Sequence, residues 1–208
     1  TITSYVDGGD TYQVHTFTSS APNPRHTITA NGDVTNTRAQ YKVGDSSIKF
    51  DGTGDYLTVP SSSDFNFGTG DFTLEFWAYF NVSGTSETIW GRDQTSANRS
   101  LYVYKDANDK IGVLVSDDGS NWPVFITTAS AVSIGAWVHI AVVRNGNDFD
   151  TYINGTSDAS TTNTLSMYAA TSLLLIGIHL ETTYSSPLNA YLDEIRLSDS
   201  ARYTTTFT

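Results

Sequence analysis

Two neighbouring carboxylates, Asp193 and Glu194, sit beside Arg196 in the segment Tyr191-Leu192-Asp193-Glu194-Ile195-Arg196-Leu197-Ser198. Paired carboxylates suggest glycoside hydrolysis, in which a retaining mechanism needs two carboxyl groups about 5–5.5 Å apart across the scissile bond. The chain has only four glutamates, Glu75, Glu87, Glu181 and Glu194. None has a carboxylate partner two or four residues away on the same strand, and adjacent strand residues such as Asp193 and Glu194 point to opposite faces. The pattern therefore speaks against an enzyme. His15, His26, His139 and His179 form no ligand-like spacing, and His139 lies in an apolar run that reads as core or near-core.

Sugar recognition is the other chemistry these residues offer. It uses aromatic rings that stack on sugar faces, with amides and carboxylates reading the hydroxyls. Loops at 90–99, 117–122 and 180–187 carry such sets, and Trp122, Tyr184, Asp118 and Asn121 are the side chains expected to contact a glycan. The competing reading is ordinary hairpin decoration, with Trp122 covering a sheet edge ahead of Pro123. Three Asn-x-Ser/Thr sequences, at Asn81, Asn98 and Asn154, would be surface positions if glycosylated.

The elements that must position these residues are strands. Runs of four to eight β-branched and aromatic residues recur between clusters of Gly, Asn, Asp and Ser, which predicts an all-β, two-sheet antiparallel sandwich. The expected strands are Ser47–Phe50, Tyr56–Val59, Phe72–Tyr79, Thr88–Gly91, Leu101–Lys105, Lys110–Ser116, Val124–Thr128, Trp137–Arg144, Phe149–Ile153, Leu173–Gly177 and Ala190–Leu197. In the third, Phe72, Leu74, Phe76 and Ala78 share one face, continued by Phe80, and are the expected core. Thr73, Glu75, Trp77 and Tyr79 share the other.

Residues 1–45 are punctuated by Asp7-Gly8-Gly9-Asp10, Pro22-Asn23-Pro24 and Asn31-Gly32-Asp33, with short β-prone pieces at Tyr12–Thr18 and His26–Thr29. A hinge at Pro22-Asn23-Pro24 divides the chain into an N-terminal β arm, 1–24, and a sandwich, 25–208. Tyr12, Val14 and Phe17 in the arm are the residues expected to mediate assembly, by adding a strand to a sheet edge within the subunit or in a neighbour. The neighbour version gives a head-to-tail homo-oligomer or filament.

With 11 basic and 22 acidic side chains, a net charge of −11 and no cysteine, the surface repels phosphate backbones and anionic membranes. Nucleic acid is thereby excluded as a partner. No apolar stretch approaches the roughly 20 residues of a membrane helix, so membrane insertion is not expected. Ser and Thr fill about a quarter of the chain, a composition that suits an extracellular β-protein.

Four segments in order resemble the laminin-G-like and pentraxin-like members of the concanavalin A-like jelly rolls. They are Ser47–Pro60, which contains Asp51-Gly52-Thr53-Gly54-Asp55, then Phe72–Trp77, then Trp137–Arg144 continued by Tyr152-Ile153-Asn154-Gly155, and the closing string from Tyr191 through Ala201-Arg202-Tyr203. The chain also resembles domains of phage tail and marine bacterial surface proteins, in which a stretch similar to His26–Gly32 often comes first. The resemblance implies a structural Ca²⁺ at the sandwich edge, with Asp51, Asp55 and Asp193 as the matching ligands. The alternative is that these aspartates cap turns and pair with Arg196 or Lys49. Together these readings give a non-enzymatic structural or adhesive module of an appendage, cell surface or virion, assembled through its arm and contacting cell-surface glycans. A stand-alone calcium-dependent lectin is the alternative.

Overall fold

The computed structural model describes the backbone of residues 2–7 and 10–15, and residues 26–180 and 186–208 in full. In chain order the strands are β1 (Ile2–Asp7), β2 (Asp10–His15), β3 (Thr29–Asn31), β4 (Thr35–Thr37), β5 (Ser47–Asp51), β6 (Tyr56–Val59), β7 (Phe72–Phe80) and β8 (Glu87–Asp93). There follow β9 (Arg99–Lys105), β10 (Ile111–Val115), β11 (Val124–Thr127), β12 (Trp137–Asn145), β13 (Asp148–Ile153), β14 (Thr156–Thr162), β15 (Leu174–Ile176) and β16 (Asn189–Ser198). Every strand expected between 47 and 197 is present, each end shifted by at most two residues.

Two antiparallel sheets of seven strands form the sandwich. The first runs β11-β10-β9-β8-β15-β6-β3 and the second β14-β13-β12-β7-β16-β5-β4. Chain neighbours such as β15 and β16 fall in different sheets, as a jelly roll requires. The arm strands β1 and β2 pair with each other, Ile2 opposite His15 through Asp7 opposite Asp10, in a separate two-stranded sheet.

The alternation in β7 has the anticipated result. Phe72, Leu74, Phe76, Ala78 and Phe80 are buried and pack with Val103, Val113, Ile140 and Leu192 between the sheets. Each large side chain contributes roughly 1.5–3 kcal/mol by leaving water. Two arginines lie inside this structure. Arg144 is fully buried and donates to the carbonyls of Gly146, Gly68 and Leu165 at 2.9, 2.7 and 2.7 Å. Arg92 donates to Phe65 O, Asn66 Oδ1 and Ala170 O. Both stitch the crossover segments 61–71 and 163–173 to the sheets, and burial lowers both guanidinium pKa values, Arg92 to about 10.

β16 holds an irregularity that matters below. Asp193 is opposite Trp77 and Arg196 is opposite Glu75, so β16 spends three steps where β7 spends two. Glu194, at φ 49°, carries this bulge.

Candidate functional site

The outer face of the first sheet bears a flat aromatic surface. On β9, Leu101, Val103 and Lys105 point inward and are buried, which turns Tyr102 and Tyr104 outward. The register places Tyr102 between Gly91 of β8 and Leu114 of β10, and Tyr104 opposite Gly112. Glycine inside a strand weakens it and marks a close approach, and here the approach is by rings. A Cβ at Gly112 would stand 2.3 Å from the Tyr104 ring, and one at Gly91 would stand 3.3 Å from Tyr102.

The two tyrosines lie 5.4 Å apart at 22°. Trp122 continues the surface 6.5 Å from Tyr102, under the guanidinium of Arg99, and Phe125 on the edge strand is 63% exposed. The Tyr102 hydroxyl is fixed 2.8 Å from Thr88 Oγ1, and burial pushes its pKa to about 12. Asp93, buried beside this face, lies 3.3 Å from both Arg99 and His179.

Of the residues expected to contact a glycan, Trp122 joins this surface. Asp118 is engaged in its own turn: its Oδ1 accepts from the Ser120 and Asn121 amides at 2.7 Å, and its Oδ2 accepts from Asn121 Nδ2 at 2.7 Å. These bonds, led by the Asn121 amide, hold the carboxyl at about 2. Asp118 and Asn121 therefore close their own turn. Tyr184, like Phe17 of the arm, lies outside the described residues.

The carboxylates are arranged differently from a hydrolytic pair. Glu75 is 3% exposed on the outer face of the second sheet. Its Oε1 accepts from Arg196 Nε at 2.7 Å and pairs with Arg202 Nε at 2.9 Å. Its Oε2 accepts from the Tyr203 hydroxyl at 2.6 Å and lies 3.3 Å from His139 Nε2. Burial alone would raise its pKa; hydrogen bonds from His139, Tyr203 and Arg196 outweigh burial and hold it at about 2. A carboxylate so held has no proton to give near neutral pH.

Among the described residues, Asp33, Asp51 and Asp55 bring one carboxylate oxygen each within 4.8 Å of one another. Buried Asp55 fixes this corner, accepting from the amides of Asp33 at 2.8 Å and Asp51 at 3.1 Å. Asp51 also accepts from the Thr53 amide at 2.7 Å. The all-oxygen set fits a hard divalent cation such as Ca²⁺. Asp193 lies outside the group. It accepts from the amides of Lys42 and Val43 at 2.8 and 2.9 Å and so ties that segment to β16. The structure thus brings Asp51 and Asp55 of the expected set together with Asp33, a residue the sequence alone does not single out because its place depends on the β3–β4 turn lying against Asp55.

At the three sequons, Asn81 Nδ2 donates to Asn189 Oδ1, Asn98 Nδ2 donates to Thr171 Oγ1, and Asn154 Oδ1 accepts from the His139 amide.

The chain is similar in structure to the binding domain of Paraclostridial Mosquitocidal Protein 1, with a TM-score of 0.68 at 15% identity over 97% of this chain and 49% of that one. It is similar to the binding domain of botulinum neurotoxin DC in complex with SialylT, at TM-score 0.66 and 11% identity over 97% and 48%. A third likeness is to domain 4 of AbnA, an extracellular arabinanase from Geobacillus stearothermophilus, in complex with arabinotriose, at TM-score 0.62 and 18% identity over 85% and 82%. The chain spans about half the length of the toxin binding domains it matches. At these identities the likeness shows the fold alone. No curated protein matches the chain. Residues 51–205 match the family described as the concanavalin A-like lectin/glucanases superfamily, in keeping with the laminin-G-like resemblance, and the chain belongs to that family.

Proposed function

We propose that this protein is a non-catalytic carbohydrate-binding module of an extracellular or surface protein, and that its glycan lies along Tyr104, Tyr102 and Trp122. The observation that carries the reading is the pair of tyrosines laid flat over strand-interior glycines. Flat, half-buried rings give a sugar an apolar face to stack on, and the polar groups beside them supply orientation. Similar structures were solved with SialylT and with arabinotriose bound, which agrees with a sugar ligand. The engagement of both Glu75 oxygens supports a binding role over a hydrolytic one.

Gly112→Ala tests the site without removing an aromatic ring, because the new methyl group forces Tyr104 off the sheet. A glycan array should show binding by the native protein, at least tenfold weaker binding by Gly112→Ala, and loss in Tyr102→Ala. An array blank for the native protein at high concentration would refute the reading.

Calcium belongs to this proposal as a structural ion at Asp33, Asp51 and Asp55, where it would order the turn without touching the sugar platform. The assembly role of Tyr12, Val14 and Phe17 is a separate reading. It is favoured by the β1–β2 hairpin, whose outer edges have no strand partner among the described residues and suit strand addition. Sedimentation of the full chain and of a chain lacking residues 1–24 decides it: two monomers would end the filament idea.

A further inference from the structure

A cavity of about 560 Å³ opens beside Glu75, on the opposite side of the sandwich from Tyr102, within the size range of small-ligand sites. Trp77, Tyr203 and Phe207 give it apolar walls, the last two stacked 3.5 Å apart at 9°. His139, Glu194 and Arg196 supply its polar groups.

His139 is only 8% exposed. Its Nε2 faces an ionised carboxylate oxygen of Glu75 and so carries the hydrogen it donates there. In the neutral ring that leaves Nδ1 an acceptor, and Nδ1 is buried with no partner. A buried acceptor left unmatched is costly, which marks the ring edge beside the cavity as polar and unsatisfied. Arg196 commits Nε and one Nη to Glu75, while its side chain remains 46% exposed with further N–H groups to offer. Glu194 adds an acceptor. Among the lining side chains Glu75 and Glu194 stand against Arg196 alone, a local excess of negative charge that disfavours an acidic sugar.

We infer that this cavity is a second sugar site, taking a single neutral pyranose unit whose hydroxyls meet the polar side formed by His139, Arg196 and Glu194 and whose apolar face packs on the Tyr203–Phe207 wall. With one site on each outer face, the module bridges two glycans. The inference rests on the carbohydrate-binding reading but uses none of the platform residues.

Amide NMR shifts of the full ¹⁵N-labelled chain, titrated separately with D-glucose, D-galactose, D-mannose and N-acetylneuraminic acid, read the two faces apart. Gly155 reports the cavity and Gly112 the platform. The expected result is a saturable Gly155 shift with at least one neutral sugar, weakened tenfold or more in His139→Phe and in Phe207→Ala. Phe207→Ala removes only a wall of the exposed C-terminal segment and guards against misfolding of the first variant. A Gly112 response without one at Gly155 overturns the second site and leaves the platform reading standing. A Gly155 response to N-acetylneuraminic acid alone overturns the neutral class. An undiminished shift in both variants overturns the assignment of the cavity, and silence at both glycines defeats both readings.

Discussion

Arg196 faces Glu75, with Nε 2.7 Å from Oε1, because β16 gains one residue at Glu194. Unbroken alternation from buried Leu192 would set Ile195 opposite Glu75 and turn Arg196 into the core. The bulge exchanges the two and returns Leu197 to the inner face opposite Leu74. One left-handed residue thus reconciles a charged outer site with an apolar inner one.

Glu75 makes the protein sensitive to acid. Its folded pKa is about 2 against an ordinary value of 4.5. The stabilisation is therefore complete above pH 4.5 and is lost as pH falls toward 2, because only the folded state holds the charged form so firmly. The shift corresponds to about 3 kcal/mol, an upper figure because Arg196 and Arg202 are partly exposed. Urea titrations across pH 2–7 should show this decline in the native protein and a flatter profile in Glu75→Gln. Identical slopes would mean the network contributes nothing to acid stability.

Calcium should raise the melting temperature. At a hundredfold excess over Kd, binding adds about 2.7 kcal/mol, which for a chain this long is roughly 5–10 °C. EDTA should reverse the rise, and Asp55→Asn should abolish it. Equal melting curves with calcium and with EDTA would leave the three aspartates as turn caps alone.

Arg144→Met should cost about 3–5 kcal/mol, since the carbonyls of Gly68, Gly146 and Leu165 lose their donor inside the protein. A lower urea midpoint at unchanged m would report it. Arg144→Lys should recover only part, because an ammonium cannot span the same fork.

Gly155→Ala should release the C-terminal segment. The glycine sits at φ 79°, and a Cβ there would come 1.9 Å from the Phe207 carbonyl oxygen. The Phe207 amide donates to Gly155 O at 2.9 Å, and Phe207 packs with Tyr203 near Ala141, Val143 and Tyr152. Faster amide exchange at Phe207, with the β7–β12 amides still protected, is the expected signature.

The sandwich was legible because its strands obey simple alternation. The even positions of β7 all reach the core, and Asn154-Gly155 makes the turn its residue types suggest. Strand β14 was not legible: Thr156-Ser157-Asp158-Ala159-Ser160-Thr161-Thr162 carries no large apolar side chain, since it sits at a sheet edge and owes its place to pairing with β13. Trp122 stands out in the sequence because aromatic residues in loops are conspicuous. Tyr102 and Tyr104 look like ordinary strand residues in the sequence, and the available signal is Gly91 and Gly112, glycines without a turn to make. The Glu75 site was hidden by the bulge, whose one mark in the sequence is the odd interval between the inward-facing Leu192 and Leu197.

The buried arginines have a consequence for how this protein can change. Every oxygen that Arg144 holds belongs to the main chain. A bond to a carbonyl makes no demand on the side chain that the same residue carries. The crossovers 61–71 and 163–173 can therefore accept many substitutions while their paths stay pinned, as long as the arginine itself remains. Such anchoring lets loops acquire new surfaces without renegotiating the architecture beneath them.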